Sequence, residues 1–235
     1  WDGRTPKFCF GGLTQNTGVI YMSEGETVGY FRLPIFQEFS TDANGHKKYV
    51  LVDQDGDGKV RTSDDSADRV NCGQATPKMV MGGSIQLRYK NFDLSTQLSG
   101  AFGHKIYNST SMLYYNMANF PSYNVMKDAP EESIYDIQLS DYWLEKGDYV
   151  NFEYITLGYN FNMKKVKAIQ NLRLALSCNN VCTFTGYSGL TPLINSTSIT
   201  GLESIGEGTV GNMGVDDKRV YPLQRTFSLQ LNVTF

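Results

Sequence analysis

Strict alternation of apolar and polar residues over long runs dominates this chain. From Gly83 to Lys90, Gly83, Ile85, Leu87 and Tyr89 fall on one face and Ser84, Gln86, Arg88 and Lys90 on the other. After a tight connection at Lys90 and Asn91, Phe92, Leu94, Thr96, Leu98, Gly100 and Phe102 alternate with Asp93, Ser95, Gln97, Ser99 and Ala101. A period of two marks a strand with one apolar face, so the pair predicts a long hairpin with a very short turn. Ile155 to Phe161, Leu172 to Cys178 and Phe227 to Phe235 follow the same rule. Gly18 to Met22, Val28 to Leu33 and Tyr142 to Phe152 are weaker strand candidates.

The connections after Lys90 and Phe161 are short, whereas Pro34 to Pro77, Gly103 to Ser140 and Gly186 to Tyr221 run to several dozen residues. Loops of that length count against an ordinary compact domain. They suit an outer-membrane barrel, which joins its strands by short periplasmic turns and long extracellular loops. A strand of 11 residues tilted about 40° rises roughly 28 Å, close to the apolar band of such a barrel. Tyr89, Phe92, Phe102, Tyr159, Phe161 and Phe235, near the strand ends, suit an interfacial aromatic girdle. The expected fold is all-β, an antiparallel transmembrane β-barrel wall with long extracellular loops. Alternation alone also allows a β-sandwich.

Composition narrows the choice. Aromatic residues make up 13% of the 235 residues, with 23 Gly and only 19% charged residues, which favours pleated sheet. No run of about 18 apolar residues is present, so a membrane-spanning helix is excluded while spanning strands are not. A net charge of −3 and a pI near 5.4 argue against nucleic acid as a partner. Cys9, Cys72, Cys178 and Cys182 are too scattered for a disulfide scaffold, and Cys178 and Cys182 cannot bridge within one extended strand. With His46 and His104 the only histidines, a zinc site is improbable. The chain begins at Trp1 without a leader, which reads as a segment of something larger.

One motif carries chemistry. The run from Asp53 to Asp64 fits a twelve-position calcium loop, with carboxylates from Asp53, Asp55, Asp57 and Asp64, the sharp turn at Gly58, and the carbonyl of Lys59 as a further ligand. A hard divalent cation needs six to eight oxygens, and alternating Asp residues on a tightly curled loop converge them. The expected metal is Ca2+, with Mg2+ also admissible, in a structural role. Position 12 is Asp where Glu closes such loops, so Asp65 and Asp68 are candidate substitutes; a solvated Asp/Gly turn is the metal-free alternative.

Other constellations are weaker. Asp42, Asp128, Glu131, Glu132 and Asp136 read as solvated charges. GxSxG, HExxH and phosphate-cradling loops are missing from the sequence. Asn108-Ser-Thr110 and Asn195-Ser-Thr197 match a glycosylation sequon, and Tyr114, Tyr115, Phe120 and Tyr123 would either stack on a ligand or pack their loop.

The order of several stretches resembles the C-terminal portion of SusC-like (RagA-like) TonB-dependent outer-membrane transporters of Bacteroidota. They are Ser23-Glu-Gly-Glu-Thr-Val-Gly-Tyr-Phe31; Lys48-Tyr-Val-Leu-Val-Asp53 leading into Asp55-Gly-Asp-Gly-Lys-Val60; Tyr89 to Ser95 with Gly100-Ala-Phe-Gly103; Trp143-Leu-Glu-Lys-Gly-Asp-Tyr149; Ile155-Thr-Leu-Gly-Tyr159; Asn179 to Gly189; and Tyr221-Pro through Arg225-Thr-Phe to Phe235. The resemblance implies the C-terminal part of a 22-stranded barrel, roughly its last third, with the plug outside this chain. It further implies import of glycans or oligopeptides delivered by a SusD-like surface lipoprotein, dependence on TonB, contact with outer-membrane lipid and no enzymatic activity. Two alternatives stand beside it: a secreted, calcium-stabilised β-sandwich that binds carbohydrate, and a complete eight-stranded barrel whose first and last strands pair.

Overall fold

The structure, a computed structural model, describes residues 8–14, 17–63, 66–163, 168–194, 214–216 and 223–235. In chain order the elements are β1 (Phe8–Thr14), β2 (Thr17–Met22), β3 (Tyr30–Pro34), β4 (Phe36–Thr41), β5 (Lys47–Leu51), β6 (Arg69–Gln74), β7 (Met79–Tyr89), β8 (Phe92–Phe102), β9 (Lys105–Asn108), α1 (Ser109–Tyr114), α2 (Ala129–Glu132), β10 (Leu144–Lys146), β11 (Tyr149–Phe161), β12 (Asn171–Thr185), β13 (Val215–Asp216) and β14 (Thr226–Thr234). They divide into two compact units.

One unit, Lys78–Phe102, Asp148–Gly186 and Pro222–Phe235, is a five-stranded antiparallel sheet in the order β14-β12-β11-β8-β7. Consecutive long strands are neighbours, an up-and-down meander. The Lys90–Asn91 turn joins β7 and β8, with Lys90 at φ 53° as a tight hairpin requires. The long connections leave at the opposite strand ends, after Phe102 and Thr185 and before Met79, Tyr149 and Thr226.

The register of this sheet lines up residues of one kind. Leu87, Leu94, Leu157, Leu176 and Leu229 form one rank across all five strands, and Gln86, Ser95, Thr156, Ser177 and Ser228 form the neighbouring rank on the opposite face. Leu87, Leu157, Leu176 and Leu229 are 59%, 48%, 53% and 72% exposed. The inner face of a sandwich would be buried against a second sheet. A rank of exposed leucines opposite a rank of hydroxyls and amides instead suits lipid on one side and water on the other. Nearer the short turn, Phe92 packs edge-on to Tyr159 and Tyr159 to Phe161, at centroid distances of 4.7 and 4.8 Å.

The alternation breaks once. Between Phe152 and Tyr154, β11 slips against both neighbours, so Glu153 is an extra residue, while Asn180 at φ 52° takes up the matching irregularity in β12. The insertion moves Phe152 and Val150 into the ranks of Leu98 and Gly100. The stretch Tyr142 to Phe152 is therefore no strand of its own. Its last residues open the 13-residue β11, and its first belong to a 3-10 turn and β10.

The second unit comprises Trp1–Pro77, Gly103–Gly147 and Tyr187–Tyr221. It contains the sheet β1-β2-β3-β6, the hairpin β4-β5, and the small sheet β10-β9-β13. Its core is buried: Val19, Ile20, Phe31, Leu33, Ala75, Tyr107, Ile134 and Val215 pack with Tyr49, Met112 and Trp143. The stretches expected as loops, Pro34 to Pro77 and Gly103 to Ser140, thus carry strands and short helices, because they hold enough apolar residues to bury one another. The weaker candidates around Gly18–Met22 and Val28–Leu33 are β2 and β3 of this unit, and among the described residues the five long strands are those of the other unit's sheet. Among the described strands β1 pairs with β2 and β14 with β12, which does not support a closed eight-stranded barrel.

Candidate functional site

The acidic loop lies between β5 and β6. Gly56 and Gly58, at φ 73° and 80°, curl the backbone in a conformation that glycine adopts without strain. The Asp53 carboxylate accepts the N–H groups of Gly56 (2.8 Å) and Gly58 (2.7 Å), Asp55 accepts that of Asp57 (3.1 Å), and Asp57 accepts that of Lys59 (2.9 Å).

Asp53, Asp55 and Asp68 converge, with one carboxylate oxygen from each lying within 4.8 Å of the others. Asp68, named by sequence as a substitute, is thus brought to the site. Asp57 is not in this group: its carboxylate meets the Arg61 guanidinium at 2.6 Å. Asp64 and Asp65 lie outside the described residues. Lys59 follows Gly58 in the loop, its N–H on Asp57.

Asp68 links the loop to the sheet. Fully buried, it accepts from the backbone of Gln54 (3.0 Å) and Arg61 (2.7 Å) and from the Ser66 hydroxyl (3.1 Å). The Ser66 carbonyl in turn accepts Arg32 of β3 at 2.6 Å. The N–H groups of Arg61 and Gln54 hold the Asp68 carboxyl below the ordinary carboxylate range, and that of Gly58 does the same for Asp53. At Asp55 the N–H of Asp57 pulls downward, but burial together with the charges of Asp57 and Asp68 pushes the carboxyl up. Uncompensated anionic charge is what a bound cation would relieve.

Two more carboxylates organise the unit, and composition alone did not single them out. Asp216, fully buried on β13, accepts the Tyr187 hydroxyl (2.8 Å) and the Thr110 hydroxyl (2.7 Å), and its carbonyl accepts the Ser109 hydroxyl (2.6 Å). Burial and the Asp216 charge push the Tyr187 phenol up. Glu145 accepts the Ser188 N–H (2.8 Å) and hydroxyl (2.6 Å) and the Asn108 amide (2.8 Å). Asn108, buried and capping α1 through the Ser111 N–H, is thereby withdrawn from the role its sequon suggests; Asn195 lies outside the described residues. The signal for both clamps was present in Trp143-to-Tyr149 and Gly186-to-Gly189, stretches that alternation does not explain.

The aromatic candidates split. Tyr115 packs on Trp143 (5.7 Å), whose indole N–H donates to the Tyr49 hydroxyl (2.8 Å), whereas Phe120 and Tyr123 are exposed. On the polar face of the sheet, Asp93 accepts Arg173 and Asn160, with Arg173 Nε at 3.2 Å and the Asn160 amide at 3.0 Å.

Comparison with known proteins bears on all of this. No family model matches the chain. Among curated proteins it is 30% identical over 197 residues to the TonB-dependent receptor P3 of Formosa agariphila, covering 79% of this chain and 19% of that protein. It is 27% identical over 209 residues to the TonB-dependent receptor SusC of Bacteroides thetaiotaomicron, covering 83% of this chain and 18% of that one. The chain therefore spans about a fifth of the length of the curated relatives it matches. Among solved structures, the RagAB peptide transporter superposes with a TM-score of 0.58 at 20% identity, over 76% of this chain and 21% of that one. The RagAB peptide importer in its "closed-closed" state gives 0.56 at 18% identity, over 74% of this chain and 21% of that one. The likeness in structure carries the fold, a wall of antiparallel barrel strands, and the likeness in sequence carries the kinship: the chain belongs with the SusC-like (RagA-like) TonB-dependent receptors of the outer membrane.

Proposed function

We propose that the chain forms part of the wall of a TonB-dependent outer-membrane importer, which takes up glycans or oligopeptides delivered by a SusD-like surface lipoprotein and catalyses no covalent reaction. The observation that carries this reading is the pair of ranks in the sheet, leucines exposed on one face and Gln, Ser and Thr on the other, since a solute crossing a bilayer needs such a two-faced wall. Peptide cargo draws support from the RagAB neighbours, described as peptide importers; glycan cargo draws on the resemblance of the sequence motifs. Deleting the gene and supplying either oligopeptides or oligosaccharides as sole nutrient tests the reading and chooses between cargoes. Loss of growth on one class, restored by the gene, is the expected result. Growth unaffected on both, or fractionation of the protein away from the outer membrane, overturns it. Affinity purification from native membranes tests the lipoprotein partner.

In the same reading, Asp53, Asp55 and Asp68, with the Lys59 carbonyl, hold a structural Ca2+ that stiffens the segment between β5 and β6; Mg2+ is the competing ion. The convergence of the three carboxylates supports it. Calorimetric titration with Ca2+ and Mg2+ tests it: Asp53→Asn and Asp68→Asn are expected to abolish binding. Equal heats for wild type and both variants would sink the site.

A further inference from the structure

Alternation specifies which face of a strand meets lipid, but leaves a degeneracy. A slip of one residue between neighbours turns every side chain over, whereas a slip of two keeps leucines with leucines and hydroxyls with hydroxyls. In β8, β11 and β12 the ranks on either side of the native ones have nearly the same chemistry, so the pattern alone tolerates that slip. Something has to break the tie.

We infer that Asp93, Gly158 and Arg173 are a register key for these three strands. Asp93 is the one charged residue in Phe92–Phe102, Arg173 the one charged residue in Asn171–Thr185, and Gly158 the one glycine in Tyr149–Phe161. Gly158 stands directly opposite Asp93, and Arg173 stands opposite Asn160, one step along the same face. β8 and β12 are not neighbours, so Arg173 has to cross β11 to reach Asp93, and it does so over Gly158. A Cβ at position 158 would lie 2.4 Å from the guanidinium and 2.6 Å from the Asp93 carboxylate. Asn160 completes the seat by donating to the same carboxylate at 3.0 Å.

A shift of two residues between β8 and β11 sets Asp93 opposite Thr156 or Asn160 in place of Gly158. The crossing is then obstructed by a side chain, and Arg173 and Asp93, whose side chains are only 25% and 20% exposed, lose each other as partners. Gly in a strand interior weakens it; here the lost side chain opens the notch that the pair fills. The native register is the arrangement in which all three special residues meet. This inference rests on the sheet being a membrane wall, which heat-modifiable migration of the same samples checks separately.

Cysteine cross-linking reads the register in the whole receptor in outer-membrane vesicles, with the native cysteines replaced by serine. Ser95→Cys with Thr156→Cys reports the native pairing. Gln97→Cys with Thr156→Cys and Ser95→Cys with Tyr154→Cys report slips of two in either direction. Adding Asp93→Ala and Arg173→Ala, or Gly158→Val alone, should raise the slipped cross-links about tenfold or more relative to the native one. The charge swap Asp93→Arg with Arg173→Asp should return the native pattern. Native cross-links alone in both the double-alanine and Gly158→Val proteins overturn the key. Where those proteins do not assemble, the swap decides: assembly with the native cross-link supports the key, and failure to assemble overturns it.

Discussion

In the five-stranded sheet the large apolar side chains stand outward in ranks, while in the second unit Phe31, Ile20 and Leu33 are fully buried. The two regions come from one chain of modest mean hydropathy, −0.34, yet they place their apolar surface by opposite rules. In the sheet, alternation puts it toward lipid and leaves the polar face to water, so each strand needs only its neighbours for backbone pairing. Among the described residues of the second unit no strand exceeds seven residues. Its order rests on a dry core stitched by buried polar groups: Arg32 to Ser66, Asp68 to two backbone amides, Asp216 to Tyr187 and Thr110. A single sequence can therefore be read with two different solvents in mind.

Substitutions that remove or reverse apolar character should separate the two rules. The largest effect is expected for Phe31→Ala, which opens a cavity in the second unit and should cost about 3–5 kcal/mol, read as a lower denaturation midpoint for that unit. Leu157→Arg places a cation in the middle of the leucine rank and should cost about 2–4 kcal/mol in lipid vesicles, while Ser177→Arg on the opposite face should cost far less. Equal costs for the last two would remove the distinction between the faces.

How much of this was readable without coordinates follows the same division. Gly83 to Lys90, Phe92 to Phe102, Leu172 to Cys178 and Phe227 to Phe235 announced themselves, because a strand between lipid and water has a period of two that nothing else interrupts. Val28 to Leu33 and Tyr142 to Phe152 were blurred. Tyr30–Pro34 is buried on both sides and so has no alternation to show. Glu153 breaks the period within β11. At the acidic loop, spacing located Asp53 and Asp55, whereas the placement of Asp68 depends on Ser66, Arg61 and Arg32, a long-range packing fact. Asp57 is drawn to Arg61, four residues on, a competition that a ligand template ignores.

The buried polar stitches sharpen the comparison further. Tyr187→Phe removes the hydroxyl that meets the Asp216 carboxylate (2.8 Å) and should cost about 1.5–3 kcal/mol, with local loss of hydrogen-exchange protection around β13 and no change in the five-stranded sheet. A smaller effect follows acid. The Asp68 and Asp53 carboxyls are held below their ordinary value in the folded chain, so they favour folding above the unfolded value of about 3.9. That contribution is lost as pH falls through their folded values. Below about pH 4 the second unit should soften, and Asp68→Asn should flatten that slope in a urea series taken at stepped pH. An unchanged slope would show that other groups govern the acid limb.

Glu153 gives β11 two reading frames. Residues after it show lipid their odd numbers, Ile155, Leu157 and Tyr159, and residues before it their even ones, Phe152 and Val150. Deleting that one residue would join the two frames into one unbroken alternation, with Phe152 and Val150 still opposite Leu98 and Gly100. Any scheme that paints this wall by counting every second residue from one end must therefore restart its count at Glu153, or it will assign lipid-facing side chains to the channel.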